Sequence, residues 1–286
     1  MLHQAPGLPA DWLNGWLAAI GVTVLIPGAR LCWTDQAAPS AVFETDEPID
    51  LATTIAQALP TPETLARSPI ARTLPGTHND LTRNVTLAAF RERAAIERAE
   101  GKSILAASVS DLNADLDPGN LAHGAFDPPA PRGETLWSRA TACARALSTA
   151  DIAKRARETL NGPGHREPLN GLGFDARRFP PGIHAARDVY ADPVAELLAY
   201  AALPLFPTRG DGRHVRQRLW TDSSSRRGAF QWIAWRPALN RWGIDALLDL
   251  PERDTDRLII AKYQVIPYQP TARADTTRAY FAERVP

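Results

Sequence analysis

A strongly apolar run at residues 194–203, VAELLAYAAL, most constrains how this chain can fold. Asp192-Pro193 precedes the run, and an aspartate cap followed by proline in the first turn is typical of a helix start. Pro204 follows the run and ends the helical pattern. We therefore expect a buried helix around which other elements pack. Its core-facing side chains would be those of Val194, Leu197, Leu198 and Ala201.

Helical patterns dominate the chain before residue 160. Residues 12–20 are predicted to form a helix that Gly21 ends, followed by a strand at 22–26 and its hairpin partner at 31–33. Apolar spacing and helix-start residues predict further helices at 51–59, from 61 onward, and at 84–100, 134–147 and 149–160.

Strand patterns are more frequent after residue 160. Residues 217–221 and 229–235 are short and aromatic-rich, and they flank the polar turn DSSSRRG, which predicts a hairpin. Residues 257–267 are rich in β-branched side chains and predict a third strand. The polar tail from Thr271 is expected to be peripheral.

These patterns predict an α+β fold with a helix-rich N-terminal half and a C-terminal half that contains a helix and short antiparallel strands. The sequence Asn-Gly-Pro-Gly at 161–164 interrupts the helical pattern and suggests a boundary. We therefore predict a helix-rich α+β region at 1–160 and a second α+β region at 161–286, which carries the basic, tryptophan-rich hairpin.

Charge is balanced overall but unevenly distributed. The formal net charge is +0, which excludes a strong global field that would attract nucleic acid or membrane. Residues 1–60 hold one basic residue, Arg30, against six acids, whereas residues 206–241 hold eight arginines against Asp211 and Asp222. This asymmetry favours one polar partner surface over a uniformly charged coat.

Two isolated cysteines, Cys32 and Cys143, predict neither a disulfide framework nor a zinc site. The N-terminus lacks the features of a secretory signal, and the apolar run at 16–26 is too short to span a bilayer. A reduced, cytoplasmic protein without membrane attachment is expected.

No strong catalytic motif is present in the sequence: there is no GxSxG, GxxxxGK[ST], HExxH or paired CxxC. We therefore expect a non-enzyme without cofactor or metal. An alternative is an enzyme that acts on a small or nucleotide substrate, with His78, Asp80 and Asp111 in its site.

The arginine-rich residues 206–241, called the basic segment below, carry the strongest functional signal. The segment interleaves arginines with tryptophans, and these are the side chains that grip phosphates and stack on bases in sequence-tolerant nucleic-acid binding. The candidate contacts are Arg213, Arg216, Arg218, Arg226, Arg227, Arg236, Trp220 and Trp232. The alternative is a hairpin whose tryptophans pack in the core and whose arginines face water; the alternation around Trp232 and Trp235 indicates that at least one tryptophan face is core.

The order of elements from Gly171 onward resembles a known group. GFDARR, then DPVAELLAYAALPLFPTRG, a basic stretch and FQWIAWRPAL are similar to accessory or large-subunit-like proteins of type I-U (I-G) CRISPR effector modules. The opening WLNGWLAAIGVTVLI is similar to the start of the same group. This resemblance covers about a third of the chain, and residues 60–160 have no counterpart in it.

The resemblance implies a non-catalytic, nucleic-acid-binding subunit of a Cascade-like antiviral complex, working with guide RNA, target DNA and other effector subunits. Arg177 and Arg178 would then project from a loop fixed by the helix after Asp192 and contact phosphates. A structural alternative pairs Glu196 with one of these arginines. A third hypothesis is a purely structural assembly subunit that makes contacts through its acidic N-terminal part.

Overall fold

The computed structural model describes residues 1–66, 87–99, 109–110, 122–123, 126, 136–173, 175, 177, 189–210, 215–221, 228–250, 256–268 and 279–285. Its strands are β1 (Leu2–Pro9), β2 (Arg30–Trp33), β3 (Ser40–Glu44), β4 (Val109–Ser110), β5 (Ala122–His123), β6 (Thr208–Gly210), β7 (Val215–Gln217), β8 (Phe230–Trp235), β9 (Ile259–Tyr268) and β10 (Ala279–Val285). Its α-helices are α1 (Leu13–Leu25), α2 (Leu51–Ala58), α3 (Pro62–Ala66), α4 (Leu87–Ala99), α5 (Leu136–Leu147), α6 (Ile152–Asn161), α7 (Pro193–Ala202) and α8 (Arg241–Asp249). The α+β prediction is confirmed.

Helices α1 and α7 pack against each other and form the centre of the molecule. The expected burial of α7 is confirmed for Val194, Leu197 and Leu198, which are fully buried, whereas Ala201, also predicted to face the core, is partly exposed. Asp192 caps this helix by accepting a hydrogen bond from the Val194 amide at 3.0 Å. Helix α1 is apolar almost all round, which is typical of a helix buried on every side.

The predicted end of α1 at Gly21 is wrong, because the helix continues to Leu25. A Cβ atom at Gly21 would lie 1.9 Å from the carbonyl oxygen of Leu198. The glycine therefore allows α1 and α7 to approach closely, and does not terminate the helix. Residues 22–25, predicted as part of a strand, form its last turn.

The three strands nearest the N-terminus form an antiparallel sheet of order β1-β3-β2. Strand β2 lies where a strand was predicted at 31–33, but its partner is β3, with Leu31 opposite Phe43. Strand β1 was not predicted, because its sequence LHQAPGLP contains two prolines and lacks β-branched residues. It lies at the sheet edge, where proline is tolerated.

A second antiparallel sheet has the order β10-β9-β8. Trp232 of β8 lies opposite Tyr263 of β9, as expected for two of the predicted strands. The tail predicted to be peripheral contains β10, which pairs with β9 along its full length. The hairpin predicted between residues 217–221 and 229–235 exists as a short pairing. In it the backbone amide of Gln231, in β8, donates to the carbonyl of Leu219 at 2.8 Å.

Trp16 of α1 lies at the centre of an aromatic core. Its ring centroid is 5.6 to 6.4 Å from those of Phe206, Phe230, Trp232 and Trp235. Its indole nitrogen donates to the carbonyl of Ile233 at 2.9 Å. Both predicted regions, 1–160 and 161–286, therefore contribute side chains to one core.

Candidate nucleic-acid interface

The loop of the GFDARR motif is anchored by a buried aspartate. Asp175 is 2% exposed, and its Oδ1 accepts hydrogen bonds from the indole of Trp12 and from the amide of Arg177, both at 2.7 Å. Arg166 lies 3.7 Å from its other oxygen and also donates to the carbonyl of Arg177. The motif thus fixes a turn against the start of α1.

Arg177 is exposed, and its guanidinium lies over the ring of Trp12, 4.2 Å from the ring centroid. The part of the side chain that packs on the protein is desolvated, which lowers the pKa of Arg177, and the carboxylates of Asp175 and Asp11 oppose that shift. An arginine side chain remains cationic in proteins. The stack on Trp12 restricts the guanidinium to one position, and the predicted contact of Arg177 with a phosphate stays a prediction.

Desolvation raises the pKa of Asp175, and the hydrogen bonds from Trp12 and Arg177 act in the opposite direction. When ionised, Asp175 offsets part of the charge of Arg166 and Arg177. The exposed Asp11 carboxylate also acts on Arg177, so two guanidiniums face two carboxylates, one of them buried and the other screened by solvent.

Two further carboxylates connect α7 to its surroundings: Glu196 bonds to the same loop, and Asp192 bonds to α6. Glu196 is 1% exposed and accepts from Nδ2 of Asn14 at 2.8 Å and from the Leu172 amide at 2.7 Å, one bond to each carboxylate oxygen. Asp192 accepts from the hydroxyl of Thr159 at 2.6 Å. The Glu196 bond to Leu172 connects the apolar helix to the polar loop, because the helix supplies a buried acceptor for the loop backbone.

The predicted arginine contacts of the basic segment divide into three groups. Arg218 is largely buried and bonded to Asp245 at 2.6 Å, to Asp249 at 2.5 Å and to the carbonyl of Leu205 at 2.7 Å. In this conformation it ties α8 to the chain before β8 and is not available to a phosphate. A second group, Arg216 and Arg236, is exposed. Arg213, Arg226 and Arg227 lie outside the described ranges, as does Arg178 of the GFDARR motif.

Arg236 has partners within the chain. It donates to the carbonyl of Ile259 at 2.7 Å and lies 3.3 Å from Asp35. Its side chain remains 49% exposed, so a phosphate can still reach it. Exposed ion pairs of this kind contribute little stability and are easily exchanged.

The two predicted stacking tryptophans lie on or in the core. Trp232 is 1% exposed and donates from its indole nitrogen to the carbonyl of Ala10 at 2.7 Å, which leaves no ring face for a base. Trp220 is half-buried against the rings of Phe126 at 5.6 Å and Phe230 at 5.5 Å. The alternative in which the hairpin tryptophans pack inward therefore describes Trp232.

An exposed tryptophan lies just beyond this segment. Trp242, in the first turn of α8, is 62% exposed, and the guanidinium of Arg241 lies 4.0 Å from its ring centroid. Helix α8 was not predicted, so Trp242 was not separated from the core tryptophans. The available signal was the helical spacing of Ile244, Leu247 and Leu248, which places Trp242 on the opposite, solvent-facing side.

The residues of the enzyme alternative, His78, Asp80 and Asp111, lie outside the described residues. Within the described ranges, no group of three or more His, Cys, Asp or Glu side chains is arranged to hold a metal ion. In the same part of the chain, every helix is too short or too polar to cross a membrane.

Comparisons of the chain with protein-family models, with curated proteins and with solved structures give no match. The functional argument therefore rests on the residues and their geometry.

Proposed function

We propose that this protein is a cytoplasmic, non-catalytic, nucleic-acid-binding subunit of a type I CRISPR interference complex, which contacts guide RNA, target DNA or both. The observation that carries the proposal is the pair formed by Arg241 and the exposed indole of Trp242 beside a segment rich in arginine. The resemblance of GFDARR and FQWIAWRPAL to type I-U effector proteins supports the assignment to this class of complex.

The pair has the two chemical functions that single-stranded nucleic acid requires. A large exposed indole face stacks on any base, and the guanidinium that lies over the ring supplies positive charge for the adjacent phosphate. Binding of this type tolerates any sequence, because every base has a π-face. It suits a subunit of a complex in which base pairing with the guide reads the sequence.

Arg177 supplies a second basic point. Its guanidinium is held in place by Trp12, and its backbone amide by Asp175, so little conformational entropy is lost when it binds a phosphate. Together with the exposed Arg216 and Arg236, it offers contacts to the backbone that are independent of sequence.

The test is a fluorescence-anisotropy titration of labelled single-stranded RNA and DNA with wild-type protein and with Trp242→Ala. We expect the substitution to weaken binding by about 1–3 kcal/mol, the value of one stacked base. Trp232→Phe is the matched control, because it changes a buried tryptophan: it should lower the melting temperature and leave the affinity unchanged.

Equal affinities for wild type and Trp242→Ala would refute the role of this tryptophan. Nucleic-acid turnover by the purified chain would instead support the enzyme alternative. Assembly with effector subunits in the absence of any nucleic-acid contact would support the structural alternative.

A further inference from the structure

An open groove is lined by residues of the C-terminal half of α8 and by residues of strands β8, β9 and β10. Its volume is about 430 Å³, within the range of small-molecule pockets. Apolar side chains form most of its walls, among them Ile233, Leu247, Leu248, Leu250 and Val285. None of the nucleic-acid contacts proposed above requires this groove.

Polar groups are few in this groove and lie close together. Lys262 of β9 lies opposite Ile233 of β8, and Gln231 is two residues along β8 on the same face. Of the charged residues that the structure describes, Lys262 is the one that lines the groove. Lys262 lies 3.7 Å from Asp256, whose carboxylate is 67% exposed; an exposed ion pair of this kind contributes little stability, so an incoming anion can compete with that carboxylate.

Another residue of the groove wall has a strained backbone conformation. Leu219 lines the groove with a φ of 66°, in the left-handed region that a leucine rarely adopts. Its carbonyl is held by the amide of Gln231, and the adjacent Arg218 is fixed by Asp245 and Asp249. Backbone strain that the surroundings enforce clusters at active sites, ligand-binding positions and switch regions.

We propose that the groove binds a small amphipathic anion: an aromatic or branched aliphatic body against the leucines and Ile233, with one carboxylate, sulfonate or phosphate at Lys262. The two segments that follow α8 and β9 in the sequence are poor occupants, because 251–255 (PERDT) and 269–278 (QPTARADTTR) contain no large apolar side chain.

Two naphthalene dyes test the proposal on the full chain. Anilinonaphthalene sulfonate carries the anionic group, and N-phenylnaphthylamine has the same apolar body without charge. We expect saturable, one-to-one binding of both dyes. Lys262→Met should weaken the anionic dye by roughly tenfold and leave the neutral dye unchanged. Lys154→Met, on the exposed side of α6, is the matched control and should affect neither dye.

Two further variants locate the site. Gln231→Trp fills the floor from an exposed strand position and should abolish binding of both dyes. Leu250→Glu, at a rim position that is 46% exposed, should weaken the anionic dye most. Trp242→Ala should change neither, which separates the groove from the exposed indole.

The proposal would be overturned if the wild type showed no saturable dye binding, if both Gln231→Trp and Leu250→Glu left binding intact, or if Lys262→Met lost both dyes equally. A concentration-dependent dimer that Gln231→Trp dissociates would also overturn it, because the groove would then be an interface between two copies of the chain. Melting temperatures of all variants verify that each is folded.

Discussion

Asp192→Asn should make the protein more stable at neutral pH. Burial raises the pKa of Asp192 from 3.8 to about 6, although the Thr159 hydroxyl and the Val194 amide both donate to its carboxylate. The folded state therefore binds a proton more tightly than the unfolded state does. Protonation of Asp192 therefore adds to the free energy of unfolding, and this contribution is fully present below pH 3.8 and is lost as the pH rises through about 6.

The magnitude follows from the size of the shift. A change from 3.8 to about 6 corresponds to about 3 kcal/mol at 1.36 kcal/mol per pH unit. Asparagine carries no charge and can keep both contacts: its oxygen accepts from the Val194 amide, and its NH₂ donates to Thr159. The Thr159 hydroxyl then donates to the carbonyl of Arg155, 3.0 Å away.

The assay is urea unfolding at several pH values between 4 and 7.5, followed by the fluorescence of the buried tryptophans. We expect Asp192→Asn and wild type to be similar near pH 4 and the variant to gain up to about 3 kcal/mol by pH 7.5. Asp151→Asn, at the exposed N-cap of α6, controls for the replacement of a capping aspartate. A stability difference that does not grow with pH would refute this reasoning.

Two further predictions concern packing and the arginines. Gly21→Ala places a methyl group 1.9 Å from the Leu198 carbonyl oxygen and should lower the free energy of unfolding by about 3 kcal/mol. Gly162→Ala is the control and should have little effect, because the nearest atom to its new methyl group is 3.8 Å away. Equal melting temperatures of the two variants would contradict the close approach of α1 and α7. Arg218→Ala leaves Asp245 and Asp249 without their cation and should lower the free energy of unfolding by about 2 kcal/mol. Arg236→Ala removes an exposed ion pair and should lower it by less than about 1 kcal/mol. Denaturant titration measures both values, and the reverse order would show that Arg218 is not structural.

Helices with local signals were predictable from the sequence. Helix α7 has an aspartate cap, a proline in the first turn and apolar spacing, and α6 has a cap at Asp151. Gly21 was misinterpreted because a glycine that ends a helix and one that permits close packing look alike in sequence. Only the position of the Leu198 carbonyl distinguishes the two cases.

The candidate site was predictable only in part. The loop at Arg177 was identified from its motif, but its anchor, Trp12, is 165 residues away in sequence. A register shift between Ala234 and Trp235 lets both Trp232 and Trp235 face Trp16, which strict alternation does not allow. Because such bulges depend on the partner strand, the sequence did not reveal which tryptophans are buried.

The most direct test of the central claim is the salt dependence of nucleic-acid binding, by the chain alone and by its assembled complex. We predict saturable binding whose log K falls linearly with log salt. Replacing Arg213, Arg216, Arg226 and Arg227 with alanine should reduce that slope by about 0.7 per lost phosphate contact, or about 3 in total. No binding by the wild type, or an unchanged affinity and slope in the fourfold variant, would contradict the proposal that this basic segment contacts nucleic acid.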